Sequence, residues 1–172
     1  KEQGHATYMP YPSTAAMKAD GQRYDKPWLE PTGASYLSLN GTWRLRWSEG
    51  PKPVLLSKDE CWGDDVNTDG SAWSDITVPS CLEMNGYGKP MYVNVDYPFV
   101  DKQPHILMKP GLTNSVGSYR RDFTLPAGWE SKRVFLHFDG IYSAAYVYVN
   151  GHEVGYTQGA NNVSEFDVTR YV

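Results

Sequence analysis

Apolar residues recur at every second position in several short stretches of this 172-residue chain, as half-buried strands require when successive side chains point to opposite faces. In Thr42 to Ser48, Trp43, Leu45 and Trp47 alternate with Arg44 and Arg46. Val134, Leu136 and Phe138 repeat that spacing. Tyr146 to Val149 is β-branched and aromatic, and the Asn150-Gly151 pair that follows supplies the positive φ values of a type I′ hairpin turn. A strand is expected to begin at Ile76 to Val78, and another to run from Tyr119 to Leu125 with Arg120, Asp122 and Thr124 on one face. The last strands are expected at 133–139, 143–149 and 152–156.

The intervening segments are of three kinds. Residues 1–34 have no periodicity and carry Pro10, Pro12, Pro27 and Pro31, each of which removes a backbone donor. They predict an extended N-terminal arm, with a helical turn around Ser13 to Lys18. Residues 50–72 read as an irregular connection. Pro79 to Val116 reads as a long excursion, and loops of that length inside a compact domain usually carry function. No helices alternate with the strands, so the chain reads as all-β. The expected fold is a jelly-roll β-sandwich of two packed antiparallel sheets spanning 35–172.

Composition adds exclusions more than assignments. The length suits one domain with a sizeable core. Six Trp, 13 Tyr and five Phe serve a sandwich core and carbohydrate contact equally well. A net charge of −4 without a basic cluster argues against nucleic acid, which needs grouped Lys and Arg. No run of about 18 apolar residues predicts a membrane span. The chain starts at Lys1 without an apolar leader, so the compartment stays open between periplasm and cytoplasm. Cys61 and Cys81 are expected either to pair or to stand as small buried free thiols. Asn40 and Asn162 head short glycosylation-type triplets, but Asn40 is better explained as a turn residue.

The segment Asp65-Val66-Asn67-Thr68-Asp69-Gly70 matches the opening of a calcium loop, in which alternate oxygens of Asp65, Asn67 and Asp69 converge on one ion. The bidentate Glu expected at the twelfth position is Ile76 instead, with Asp75 one residue earlier. Ordinary polar loops have the same composition. His5, His105, His137 and His152 show no metal spacing, and no nucleophile–His–Asp set is recognisable. His137 is expected at a sheet surface. Of Trp43, Trp47, Trp62, Trp73 and Trp129, most are expected in the core, with Trp62 exposed.

Longer phrases carry a resemblance. "SLNGTWRLRW", "W-x-x-ITVPS", "MNGYGKPMYVNVDYPF", "GSYRRDFTLPAGWESKRVFLHF", "FDG-x-x-SA-x-Y-V-x-VNG" and "VGY-x-Q … SEFD" stand in order from about Ser35 to Val172. Together they resemble the N-terminal sugar-binding domain of β-galactosidases in glycoside hydrolase family 2. The resemblance implies a galactose-binding-like sandwich at the start of a long enzyme with an immunoglobulin-like domain and a (β/α)8 barrel. It also implies one further long strand after Val172, so the 172 residues are expected to lack the last strand of the sandwich and to expose a sheet edge.

The same resemblance distributes the chemistry. A retaining glycosidase uses two carboxylates about 5 Å apart, and in this family both are glutamates on the barrel, outside these residues. No catalytic residue is therefore expected here. Glu165 and Asp167 form the tempting local pair, but the "SEFD" match places them in an inter-strand connection, where bonding to turn amides is the expected role. Asn94, in "PMYVNVDYP", matches an Asn whose amide reaches the neighbouring barrel pocket and contacts galactosyl hydroxyls. The plainer role for it is an Asx turn. At Gly159 the match fails, because one branch of the family carries an Asp there that touches sugar and a monovalent cation. Asn161 or Asn162 could offer only a neutral amide. The implied partners are a β-galactoside shared with the barrel, the barrel itself and further copies of the longer protein. No cofactor is assigned to these residues beyond the calcium candidate; the parent enzyme could use divalent or monovalent cations. Related β-glucuronidases and β-mannosidases, or a stand-alone carbohydrate-binding module, are the alternatives.

Overall fold

The computed structural model describes residues 1–26, 28–50, 73–92, 94, 99 and 114–172. The order of elements is α1 (Thr14–Ala19), α2 (Gly21–Asp25), β1 (Gly41–Ser48), β2 (Ser74–Val78), β3 (Val116–Arg120), β4 (Phe135–Phe138), β5 (Ala144–Val149), β6 (His152–Gln158) and β7 (Ser164–Asp167). Short 3-10 turns lie at Glu83–Asn85 and Thr169–Tyr171. Among the described residues the strand pairings are antiparallel, so the all-β class read from the alternation holds. The arrangement is consistent with a jelly roll. The chain divides into two compact units: Lys1–Leu39 with Phe123–Val172, and Asn40–Asp122.

In the second unit β1 is the central strand, flanked by β2 and β3. Leu45 is fully buried, at 0% exposure, and pairs with Ser74 on one side and Tyr119 on the other. Trp73 and Ile76 are buried, whereas Trp43 and Trp47 are half-buried. Arg46, expected on the polar face, is buried as well. The third strand lies upstream of its expected position: β3 ends at Arg120 and nothing regular continues to Leu125. The guanidinium of Arg121 bonds the carbonyl oxygens of Asn40 and Thr42 at 3.0 and 3.3 Å, on the stretch of β1 that a longer β3 would have paired. A side chain thus ends the ladder.

The first unit is built around Val134, Val147, Val149, Phe166 and Val168, all buried, with Leu125, Trp129, Leu136, Phe138, Val154 and Tyr171 packed against them. Val147 and Val149 come from β5, Val154 from β6, Leu136 and Phe138 from β4 and Phe166 from β7, while Val134 and Val168 directly flank the antiparallel β4–β7 pair. Asn150 and Gly151 take φ of 48° and 79°, forming the two-residue loop between β5 and β6 that their sequence requires. The register shifts after Val147, which faces Gly155, to Tyr148, which faces Glu153, leaving Val154 as the extra residue of a bulge. Ser164–Asp167 is a strand and not the expected connection, because burying Phe166 opposite Leu136 aligns its backbone with β4.

The arm has more regular structure than its prolines suggest. Ser13 caps α1 by accepting a bond from the Ala16 amide at 3.1 Å, and Lys18 lies in the last turn, where positive charge suits the helix dipole. Asp20, which is buried, then anchors the arm: it accepts from Tyr11 Oη at 2.6 Å, from the Thr32 amide at 2.8 Å and from Thr32 Oγ1 at 2.9 Å. The Tyr11 bond, followed by those from Thr32, holds this carboxyl below the usual carboxylate range. No helix among the described residues is long and apolar enough to cross a membrane.

Candidate functional site

The excursion that carries Asn94 leaves β2 through a pinned turn. Asn85 Nδ2 donates to Ser80 Oγ at 3.1 Å and to the Cys81 carbonyl at 2.8 Å, and Tyr87 Oη lies 2.7 Å from Ser74 Oγ on β2. Gly86 closes the 3-10 turn in the left-handed region. Beyond it Asn94 sits at a bend with its side chain exposed, and Met91 and Tyr92 before it are exposed too, Tyr92 at 88%. An exposed carboxamide offers two donors and an acceptor oxygen, the set that pairs with neighbouring sugar hydroxyls. Cys81 is exposed and free, so the expectation of a small buried thiol there is overturned. The turn that Asn85 organises presents Cys81 outward and uses only its carbonyl. Cys61, Trp62 and the calcium candidates Asp65, Asn67 and Asp69 lie outside the described residues. Among the described residues, no group of three or more His, Cys, Asp or Glu side chains is arranged to hold a metal ion.

The end of β6 is a tight turn. The Gly159 amide donates to the Ser143 carbonyl at 3.2 Å, and the Asn162 amide donates to the Gly159 carbonyl at 2.9 Å. Gly159 has φ of 100°, and a Cβ placed on it would come within 2.9 Å of Asn162 Nδ2. An aspartate there would be strained by the positive φ, and the glycine present offers no carboxylate. Asn161 and Asn162 are both exposed.

Glu165 and Asp167 share one face of β7, but each has its own structural partners. Asp167 accepts from Thr169 Oγ1 at 2.5 Å, from Arg133 Nη2 at 2.7 Å and from the Thr169 amide at 3.0 Å. These bonds, led by the Thr169 hydroxyl, lower its pKa from 3.8 to about 2. Bonding to a nearby backbone amide, the role expected of the pair, is thus present at Asp167. Glu165 is engaged by two imidazoles: His5 Nε2 lies 2.8 Å from Oε2, and His137 Nδ1 lies 3.1 Å from Oε1. Burial works to raise the Glu165 pKa, yet the hydrogen bonds from His5 and His137 outweigh it, and the net shift is downward. His137 is on the outward face of the β4–β7 pair, as expected, and is half-buried there between Glu165 and Asp139. Motif spacing could not reveal this cluster, because His5 and Glu165 are 160 residues apart in the chain.

A second feature absent from the sequence reading lies on the outer face of the β5–β6 hairpin. Tyr146 and Tyr156 are direct cross-strand partners with ring centroids 4.9 Å apart, exposed at 49% and 42%. Tyr156 Oη donates to Gln158 Oε1 at 3.0 Å, which fixes the amide beside the rings.

The model of the family described as glycosyl hydrolases family 2, sugar binding domain, matches residues 36–172. The chain belongs to that family. This family 2 domain is 41% identical over 131 residues to a β-galactosidase of Psychromonas ingrahamii, covering 76% of the domain chain and 12% of that protein. It is 32% identical over 174 residues to a β-galactosidase of Priestia megaterium, covering 100% of the chain and 16% of that protein. The chain therefore spans less than a sixth of the length of these relatives. Among solved structures, that of Bifidobacterium dentium β-glucuronidase complexed with coumarin-3-O-glucuronide is similar at 23% identity and a TM-score of 0.49, over 78% of this chain and 17% of that one.

Proposed function

We propose that this family 2 domain opens a longer β-galactosidase, supports its catalytic barrel and lends Asn94 to the galactoside pocket. The observation that carries the reading is the exposed amide of Asn94 within "PMYVNVDYP", in a chain whose relatives are β-galactosidases. The longer protein would cleave a terminal β-galactoside with retention, through a covalent glycosyl-enzyme formed by two glutamates outside these residues. One amide contributes about 1 kcal/mol of net hydrogen bonding, so the domain alone should hold a monosaccharide only weakly. The test is turnover of an aryl β-galactoside by the full-length protein with and without Asn94→Ala. A fall in kcat/KM of about tenfold or more, equivalent to about 1.4 kcal/mol of transition-state stabilisation, supports the role of Asn94. Unchanged kinetics reduces the domain to a scaffold, and no turnover by the unaltered protein redirects the reading to the glucuronidase or mannosidase branch.

A second reading, carbohydrate binding by the domain itself, is favoured by the Tyr146–Tyr156 pair with its oriented Gln158 amide. Exposed aromatic faces stack on the apolar face of a pyranose while an adjacent amide bonds its hydroxyls. Calorimetric titration of the 172-residue chain with methyl β-galactoside and lactose separates the two. Affinity lost in Tyr146→Ala but kept in Asn94→Ala would establish the platform, and no heat of binding would remove it.

A further inference from the structure

The N-terminal residues lie along β7 and its neighbours, held by main chain and side chain. The Glu2 amide donates to the Glu165 carbonyl at 2.8 Å, and Lys1 Nζ donates to Thr157 Oγ1 at 2.8 Å. Thr157 is buried and shares a 2.5 Å hydroxyl contact with the buried Ser164. The ring of His5 packs beside Tyr8, with centroids 5.4 Å apart.

His5 is the side chain of the N-terminal arm whose charge can change near neutral pH. Its Nδ1 lies 2.8 Å from the Ala6 carbonyl oxygen, and its Nε2 lies 2.8 Å from Glu165 Oε2. A carbonyl and an ionised carboxylate accept hydrogen bonds and cannot donate them, so both contacts are satisfied together only when both ring nitrogens carry a proton. A neutral imidazole leaves one of the two pairs as acceptor facing acceptor. The charged groups around this point are Glu165 on β7, His137 on β4 with Asp139 after it, and Glu2 on the arm itself.

We propose that residues 1–8 form a strap over β7 that is latched by the doubly protonated His5, whose charged bond to Glu165 crosses to β7, and that loosens when His5 loses its second proton and with it that charge. Release bares the Glu165 carbonyl and the Thr157–Ser164 pair, the points now covered by Glu2 and Lys1. The direction follows from the two partners. The Ala6 carbonyl first, then Glu165, raises the His5 pKa above 6.5, so the latch is complete below 6.5 and is lost as pH rises through the raised value. Glu165 is lowered, so its share is present above 4.5 and is lost as pH falls through its own folded value. The strap is therefore closed in a mildly acidic window and opens on either side.

The test is backbone relaxation of the 172-residue chain by carbon-detected NMR at pH 6 and pH 9, where rapid amide exchange does not erase the signals. Order parameters of residues 2–8 are expected to fall from about 0.85 to below about 0.6 between the two conditions. His5→Gln, which cannot titrate, should abolish that change, whereas His137→Gln should preserve it. Equal order at both pH values in the unaltered chain overturns the proposal, as does a pH-dependent loss of order that survives His5→Gln.

Discussion

Gly155 adopts φ of 152° on β6, and a Cβ built on it would lie 2.9 Å from the Phe166 ring. Phe166 is 1% exposed and meets Phe138 edge-on at 6.2 Å and 82°. The absent side chain and the aromatic ring thus form one packing unit, in which the ring occupies the space any larger residue would need. Gly155→Ala is expected to cost about 1–3 kcal/mol from strained backbone and overpacking. Phe166→Ala should cost about 3–5 kcal/mol through lost burial and a cavity. Urea denaturation of both variants checks these values, and Gly155→Ala as stable as the unaltered chain would contradict the packing account. Because the two residues touch, their costs should not add in the double variant.

β7 shows how one strand joins core and surface. Phe166 faces inward, and Glu165 and Asp167 face the other way, toward His5, His137, Arg133 and Thr169. The Asp167 pKa, lowered to about 2, stabilises the fold above the ordinary value of 3.8, and that contribution is lost as pH falls through about 2. Asp167→Asn is accordingly expected to flatten the acid limb of stability between about pH 4 and pH 2, measured by urea midpoints at several pH values. A limb as steep as that of the unaltered chain would show that the Arg133 and Thr169 contacts add nothing; the ion pair is exposed, where such pairs contribute little. In the other unit Arg121 has an equally local effect, ending β3 by bonding carbonyls of Asn40 and Thr42. Arg121→Ala should leave those carbonyls to water or to a longer β3, a choice that hydrogen exchange of Asp122 and Thr124 would read.

The family 2 domain is a small part of the length of its β-galactosidase relatives, and its proposed role is a contribution to a site completed elsewhere. The 172-residue chain alone is expected to release no phenol from an aryl β-galactoside above the uncatalysed rate. Turnover by the purified chain, abolished by Glu165→Gln, would instead assign chemistry to the acidic face of β7. The family was legible in the order of motifs from Ser35 to Val172, which the family match at 36–172 bears out. Site detail was less so. Asn94 could be singled out because its motif is contiguous, whereas the Tyr146–Tyr156–Gln158 face could be seen only once the hairpin register was known.

The residues alone were enough for the features that each position encodes locally. Asn150-Gly151 had to turn because both residues reach positive φ cheaply, and Trp43, Leu45 and Trp47 had to form a strand because alternate side chains face one side. Ser13 at the head of α1 is a signal of the same kind. Folding settled what depends on distant parts of the chain meeting. Glu165 received His5 from 160 residues away and His137 from 28 residues away, Arg121 reached back to Asn40, and Phe166 packed onto Gly155, a position without a side chain. Local conformation is set by a few neighbouring torsions. Such meetings are set by how the whole chain returns on itself, and no short window of sequence contains that information.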